Sequence, residues 1–278
     1  MKVFLKILLI AITYQLLQSQ SAFSQLVPDF KVNDDSSIYN QFVGKVGADS
    51  SGNFIIVWHD ERFSTPGTHN VTVFAQRYNF LGVPIGDNFK VSDHTDTAQT
   101  PDIAVNKDGS FIVCWTDRSN SKIVARVFDN KGIPASNIIL VSDSNYSNSR
   151  PFVGADLKGN FVITWENYTD FQGDRIFFQR FNSMGSKLGS NQNVSDKGVN
   201  SRKSDPDINV RKDGSFIICW QDNRLSIGTY DIYFQMYDSN GVKVGNNLIV
   251  NEAFALSQEY PEITSDSAGN FFIAWSDF

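Results

Sequence analysis

Five copies of one short pattern constrain this chain more than any other feature. The segments DSSGNFIIVW, NKDGSFIVCW, DLKGNFVITW, RKDGSFIICW and DSAGNFFIAW end on Trp58, Trp115, Trp165, Trp220 and Trp275, which are all five tryptophans of the 278 residues. A glycine stands six residues before each tryptophan (Gly52, Gly109, Gly159, Gly214, Gly269), and a phenylalanine stands two residues after each glycine (Phe54, Phe111, Phe161, Phe216, Phe271). The tryptophans lie 57, 50, 55 and 55 residues apart. A period of that size means that one small unit, unable to bury its apolar face alone, stacks against copies of itself.

Each copy parses into four short strands. A first strand such as Pro101–Val105 leads into a tight turn whose glycine can take positive φ. The second, Ser110–Trp115, is rich in β-branched and aromatic residues without alternation, as expected where both faces are covered. After a variable polar loop comes a third strand (VFAQRYN, IVARVFD, IFFQRFN, IYFQMYD) and a second glycine turn at Gly82, Gly132, Gly185 or Gly241. A fourth strand closes on Val91-Ser92-Asp93, Val141-Ser142-Asp143, Val194-Ser195-Asp196 or Val250-Asn251. Four antiparallel strands per period predict an all-β fold, a β-propeller of four-stranded blades. The repeats run over about 41–93, 98–143, 148–196, 203–251 and, in part, 258–278, within a domain of residues 25–278. The Pro28–Asn33 segment matches a fourth strand without strands one to three before it, and the fifth copy reaches only its second strand. The expectation is four full blades, a half blade and an N-terminal closing strand, hence an unfinished ring.

The first residues read as an address. Lys2 and Lys6 precede the apolar run Ile7–Leu17, and Ser21-Ala22-Phe23-Ser24 offers small residues for cleavage before Gln25. That is a signal peptide over residues 1–24 and predicts secretion or display at the cell surface. The run is shorter than the roughly 20 residues a membrane span needs. Formal charge is −6, with 24 basic against 30 acidic residues, which excludes a general nucleic-acid binder. Hydrophobic residues at 41% allow a core and exclude global disorder. Cys114 and Cys219, just before the tryptophans of copies two and four, read as small buried hydrophobes rather than a disulfide, because equivalent positions in non-adjacent blades are too far apart.

Chemistry is sparse. His59, His69 and His94 are the only histidines and have no metal-ligand spacing, and His59 reads as an ordinary exposed residue. No cofactor is expected. Asp and Asn residues near the glycine turns, such as Asp49, Asn106, Asp108 and Asp156, offer oxygen to calcium, but capping of their own turns is the favoured role. After each tryptophan the copies read W-H-D-E-R, W-T-D-R, W-E-N-Y, W-Q-D-N-R and W-S-D. The recurrence points to ion pairing or loop capping rather than catalysis, since a catalytic site needs one residue in one blade. The two-to-three loops still vary most: from tryptophan to Gln76, Arg126, Gln179 or Gln235 the copies span 18, 11, 14 and 15 residues. Variable loops on a rigid rim are where ligands bind. The candidate ligand residues are Asp60, Arg62, Asp117, Arg118, Asp222 and Arg224, with Tyr168 and Tyr230 as stacking platforms for a sugar.

The pattern G-[NS]-F-[IV]-[IV]-x-W-x-D-x-R, with Phe178-Gln179-Arg180-Phe181, Asp231–Gln235 and a closing N-F-K-V-S-D, resembles the repeats of secreted bacterial β-propeller proteins. The resemblance covers nearly the whole domain, with Arg126 departing from the glutamine of the other copies, and implies fold and location but no activity. The sialidase Asp-box differs, because here the tryptophan follows the glycine by six residues rather than three. Near-identical blades favour a non-catalytic module that binds or adheres to an extracellular glycan or protein. The alternative is an extracellular glycan-active hydrolase or lyase on the same scaffold, which a blade-specific cluster of buried acids in the central channel would favour.

Overall fold

The computed structural model describes residues 29–93, 97–143, 145–169, 173–195, 201–226, 228–252, 256–266 and 268–278. The expected signal segment lies outside them. Residues Met1–Lys31 form one unit and Val32–Phe278 a second, to which everything below belongs.

The described residues are all-β, in five antiparallel sheets that follow the repeat. Blade 1 holds β1 (Gln41–Ala48), β2 (Phe54–Asp60), β3 (Thr72–Tyr78) and β4 (Phe89–Lys90); blade 2 holds β5 (Ala98–Val105), β6 (Phe111–Asp117), β7 (Lys122–Phe128) and β8 (Ile139–Leu140). Blade 3 holds β9 (Ser147–Ala155), β10 (Phe161–Tyr168), β11 (Arg175–Phe181) and β12 (Lys187–Asn193); blade 4 holds β13 (Lys203–Val210), β14 (Phe216–Asp222), β15 (Asp231–Tyr237) and β16 (Lys243–Ile249). Blade 5 has β17 (Gln258–Ser265) and β18 (Phe271–Asp277). The strand order is sequential in every sheet, and the first strands of consecutive blades pack side by side, β1 on β5, β5 on β9, β9 on β13 and β13 on β17. They are therefore the inner strands of a propeller.

The repeated aromatics knit each blade internally. Opposite residues of the second and third strands stack: Phe54 on Tyr78 at 4.9 Å between ring centroids, Phe111 on Phe128 at 4.8 Å, Phe161 on Phe181 at 4.9 Å and Phe216 on Tyr237 at 4.7 Å. The tryptophans stack on Phe74, Phe177 and Tyr233, and Trp115 lies opposite Val124. The apolar clusters then lie between blades. Ile55 and Val57 of blade 1 join Phe111, Val113 and Trp115 of blade 2, and Cys114 joins Phe161, Ile163 and Trp165 of blade 3. Both cysteines are free and buried. Four tryptophans are buried as expected, while Trp275 of blade 5 is 36% exposed.

Outer strands are stitched by a polar pair. Gln76, Gln179 and Gln235 accept from Asn88, Asn191 and Asn247, and these asparagines donate to Val32, Val141 and Val194 carbonyls respectively. Blade 2 carries Ile138 where the asparagine would stand, and Arg126 itself reaches the Val91 carbonyl at 2.9 Å. One long cation thus replaces a Gln–Asn relay. Asp34 N–H donates to Asn88 as Asp143 N–H donates to Asn191, so Val32–Asp34 stands against blade 1 as the end of one fourth strand stands against the next blade. That segment carries no strand of its own. Of the expected closing strand, Val32 and Asn33 belong to this unit, and side-chain bonds from Asn88 to Val32 and from Asn33 to Gln41, rather than ladder pairing, hold them to blade 1.

Candidate active site at the mouth of the central channel

Every inner strand carries a β-bulge, and at each one residue other than glycine has positive φ: Val43 (54°), Thr100 (49°), Arg150 (48°), Asp205 (49°) and Tyr260 (56°). In blades 2 to 5 the next residue is proline (Pro101, Pro151, Pro206, Pro261), and in blade 1 it is Gly44. Proline supplies no ladder donor and is tolerated at a bulge. The bulge re-aims the side chain before it. Because the backbone device repeats while the residue changes, the propeller presents five different side chains at one level. This level lies in the first half of each inner strand, away from the glycine turn that follows it, so it shares a face with the two-to-three loops.

The residue after each tryptophan lies beside the bulge. In blade 3 it is Glu166, fully buried. Glu166 accepts from Ser149 Oγ at 3.1 Å, from the Tyr168 hydroxyl, from Asp205 N–H at 2.6 Å and from Arg150 Nη1 at 3.4 Å. The same Arg150 nitrogen lies 2.6 Å from Asp205 Oδ1. Two carboxylates from different blades therefore share one guanidinium nitrogen, which holds the two bonded oxygens within about 6 Å of each other. Burial raises the pKa of Glu166 above the usual carboxylate range, against its hydrogen bonds and Arg150, and raises that of Asp205 as well. Burial, with the Glu166 charge, pushes the Tyr168 phenol to about 12. That phenol stays protonated and acts as a donor.

Blade 4 repeats the arrangement without the charge. Gln221 accepts from Tyr260 N–H at 2.9 Å and donates to Ser204 Oγ at 2.9 Å. Blade 2 pairs Thr100 with Thr116 hydroxyl to hydroxyl at 2.9 Å. In blade 1 His59 is half-buried against Phe42, with ring centroids 5.1 Å apart and its pKa lowered by burial. This corrects the expectation that His59 is an ordinary exposed residue: its column faces the mouth.

Below the mouth, the residues two positions after the positive-φ residue include Lys45, Asp102, Phe152 and Asp207. Lys45 reaches from blade 1 to lie 4.8 Å from the centre of the Phe152 ring of blade 3, near Asp102 of blade 2 and Asp207 of blade 4. Asp102 accepts from Val153 N–H at 2.8 Å, and Asp207 from Ile263 N–H at 2.8 Å, so each pins the next inner strand. Burial pushes Asp102 up to about 6 and Asp207 to about 7. The Lys45 charge acts on both aspartates, and its contact with Phe152 ties blade 1 to blade 3 at this floor layer.

The repeated acids after the tryptophans have other partners. Asp60, fully buried, accepts from the Trp58 indole at 2.9 Å, from Arg62 N–H at 2.8 Å and from Arg62 Nη2 at 2.8 Å. Asp222 does the same for Trp220 and Arg224. Arg62 lies over Phe74 and Arg224 over Tyr233. Asp117 holds Asn120, and in blade 3 Asn148 takes over the Trp165 indole and binds Asn167. Exposed Arg118 donates to Gln99, beside the Thr100 bulge. Tyr230 is half-buried, its N–H on Ser257. Of the eight candidate ligand residues, only Tyr168 touches the Glu166 cluster. The turn acids cap their own turns: Asp49 Oδ1, for example, accepts from Ser51 N–H at 2.8 Å and Asn53 N–H at 3.0 Å. Among the described residues no group of three or more histidine, cysteine or acidic side chains is placed to hold a metal ion. No helix among them is long and apolar enough to cross a membrane.

Sequence reasoning missed Glu166, Arg150, Asp205 and Tyr260. The X-Pro step at the same place in four inner strands, preceded by a different residue each time, is the signal that could have found three of them.

No protein-family profile matches the sequence, and no curated protein matches it. Solved structures do match the fold. The chain is similar to the endo-arabinase from Bacteroides thetaiotaomicron (TM-score 0.51, 17% identity, covering 89% of this chain and 92% of that one). It is also similar to the α-L-arabinanase of Penicillium chrysogenum complexed with arabinobiose (0.58, 12%, 84% and 74%) and to the GH93 α-L-arabinofuranosidase of Fusarium graminearum with arabinobiose (0.57, 11%, 88% and 78%). At these identities the likeness shows the propeller fold. Its neighbours are hydrolases rather than binding proteins, and this overturns the expectation of a non-catalytic binding or adhesion module in favour of the glycan-active alternative.

Proposed function

We propose that the protein is an extracellular hydrolase of glycosidic bonds, exported by the leader read at residues 1–24, with its reaction centre at the channel mouth. One observation carries the reading. Glu166 and Gln221 do the same structural work in adjacent blades, yet Glu166 is a buried acid whose arginine also binds a carboxylate of the next blade, while Gln221 is neutral. The amide shows that the scaffold needs no charge there, and burying a charge is costly. A pair of carboxylates is what glycoside hydrolysis requires.

The roles follow from exposure and protonation. Glu166 is bonded by the hydroxyl of Tyr168, a residue that is 38% exposed. Burial raises the pKa of Glu166, and in the protonated form it passes its proton to the Tyr168 oxygen as the phenol gives its own to the departing glycosidic oxygen. Asp205, more open than Glu166, takes a proton from the water whose oxygen bonds to the anomeric carbon as the glycosidic C–O bond breaks. Arg150 holds both side chains in register and steadies the charge of Asp205.

The test is reducing-end release from arabinan, arabinobiose and a panel of other oligosaccharides. Wild type is expected to cleave at least one of them, and Glu166→Gln and Asp205→Asn to lose about 10²–10⁴-fold while staying folded. A folded wild type that cleaves none, or a Glu166→Gln variant at wild-type rate, would overturn the assignment.

A further inference from the structure

We infer that Tyr260 is a stacking platform for a sugar ring beside Asp205, and that the mouth takes a neutral oligosaccharide. The inference rests on the mouth being the ligand site proposed above. Tyr260 occupies in blade 5 the bulge position held by Asp205 in blade 4 and Arg150 in blade 3. Arg150 and Asp205, one blade apart, are in contact at 2.6 Å, so adjacent bulge residues project to neighbouring points. Tyr260 comes next, and its backbone N–H is pinned by Gln221. Its φ of 56° lies in the left-handed region, which bulky side chains rarely adopt, with Pro261 after it. The residue nevertheless stands 57% exposed. An aromatic side chain aimed by a bulge and left in water, one blade step from a carboxylate, has the form of a saccharide platform. Tyr168 across the carboxylates, and Phe42 against His59, add two more exposed rings to this level.

Charge selects the ligand. Arg150 is shared between Glu166 and Asp205, and the Glu259 carboxylate acts on Asp205 from the neighbouring blade, so negative charge gathers at Asp205. A uronic acid would meet that excess with its own negative charge.

Intrinsic fluorescence titration of the full chain tests this, in the Glu166→Gln background to prevent turnover. The probes are neutral arabino- and xylo-oligosaccharides against oligogalacturonides of equal length. Neutral probes are expected to bind at least tenfold tighter than galacturonides. Tyr260→Ala should weaken them about tenfold, and Tyr260→Phe should retain wild-type affinity within about threefold, since stacking and not the hydroxyl does the work. Tyr260→Ala binding like its parent, Tyr260→Phe as weak as Tyr260→Ala, a preference for galacturonides, or no binding would each overturn the inference. The hydrolase reading fails separately: a wild type that binds neutral probes without cleaving them sinks the hydrolase and keeps Tyr260. Cleavage with KM unchanged in Tyr260→Ala does the reverse.

Discussion

Two layers of this propeller hold buried carboxylates bonded to arginine, and they are built differently. In the outer layer Asp60 and Asp222 take Arg62 and Arg224 from two residues away, along with the indole of their own blade. In the mouth Glu166 takes its partners from both blades 3 and 4, and no other blade repeats the set. A local, repeated ion pair solves a problem that every blade has, namely the indole N–H and the start of the two-to-three loop. A pair assembled across blades, present once and replaced by a neutral amide next door, solves none of these. The same chemistry therefore reads as scaffold in one place and as site in the other.

The largest expected effect tests that division directly. Glu166→Gln should cost about 10²–10⁴ in kcat/KM while leaving the melting temperature within about 2 °C, because Gln221 already demonstrates the neutral geometry. A large loss of stability would place Glu166 in the scaffold after all. Next, Trp220→Ala should cost about 3–5 kcal/mol in urea unfolding, since the ring is fully buried between blades. Asp222→Ala, which strands the indole N–H and the partly exposed Arg224, should cost about 1–3 kcal/mol and leave turnover unchanged. Lost turnover at unchanged stability would move the outer layer into the site.

The floor gives a pH test. Asp102 and Asp207 hold protons more tightly folded, at about 6 and about 7, than an unfolded aspartate near 3.9. The native state thus binds more protons between about pH 4 and 7, and stability falls as pH rises through that window. Denaturation midpoints measured from pH 4.5 to 8 should fall by an amount corresponding to about 5 kcal/mol at most, and Asp102→Asn with Asp207→Asn should flatten the slope. A slope that survives both substitutions would remove the floor carboxylates from the account. The smallest effect is expected at Trp275→Ala, about 1 kcal/mol or less, because that ring remains 36% exposed.

The glycine, phenylalanine and tryptophan at fixed offsets were enough to read strands, turns and blades, because each blade solves its packing with residues close together in sequence. Phe111 and Phe128 stack at 4.8 Å across one hairpin, and Gly109 takes φ of 82° at its turn for want of a Cβ. The departures were visible but not interpretable. Arg126 stood out from its glutamine neighbours, yet only the fold shows it reaching the Val91 carbonyl of the blade before. The column His59, Thr116, Glu166, Gln221 and Ser276 was also visible and looked incidental.

What the sequence determined by itself is therefore everything a repeat enforces locally: the blade, the buried aromatic ladder and the role of Asp60 and Asp222 in loop and ion-pair chemistry. The tertiary structure alone decided what meets at the axis. Arg150 and Asp205 are separated by 55 residues yet lie 2.6 Å apart, and Lys45 meets Phe152 across two blades. A residue's distance from the axis depends on how whole blades wrap around it, through bulges and inter-blade clusters whose partners are some fifty residues distant. No periodicity within one strand encodes that distance, so the unrepeated residues acquire their neighbours only when the inner strands are brought together.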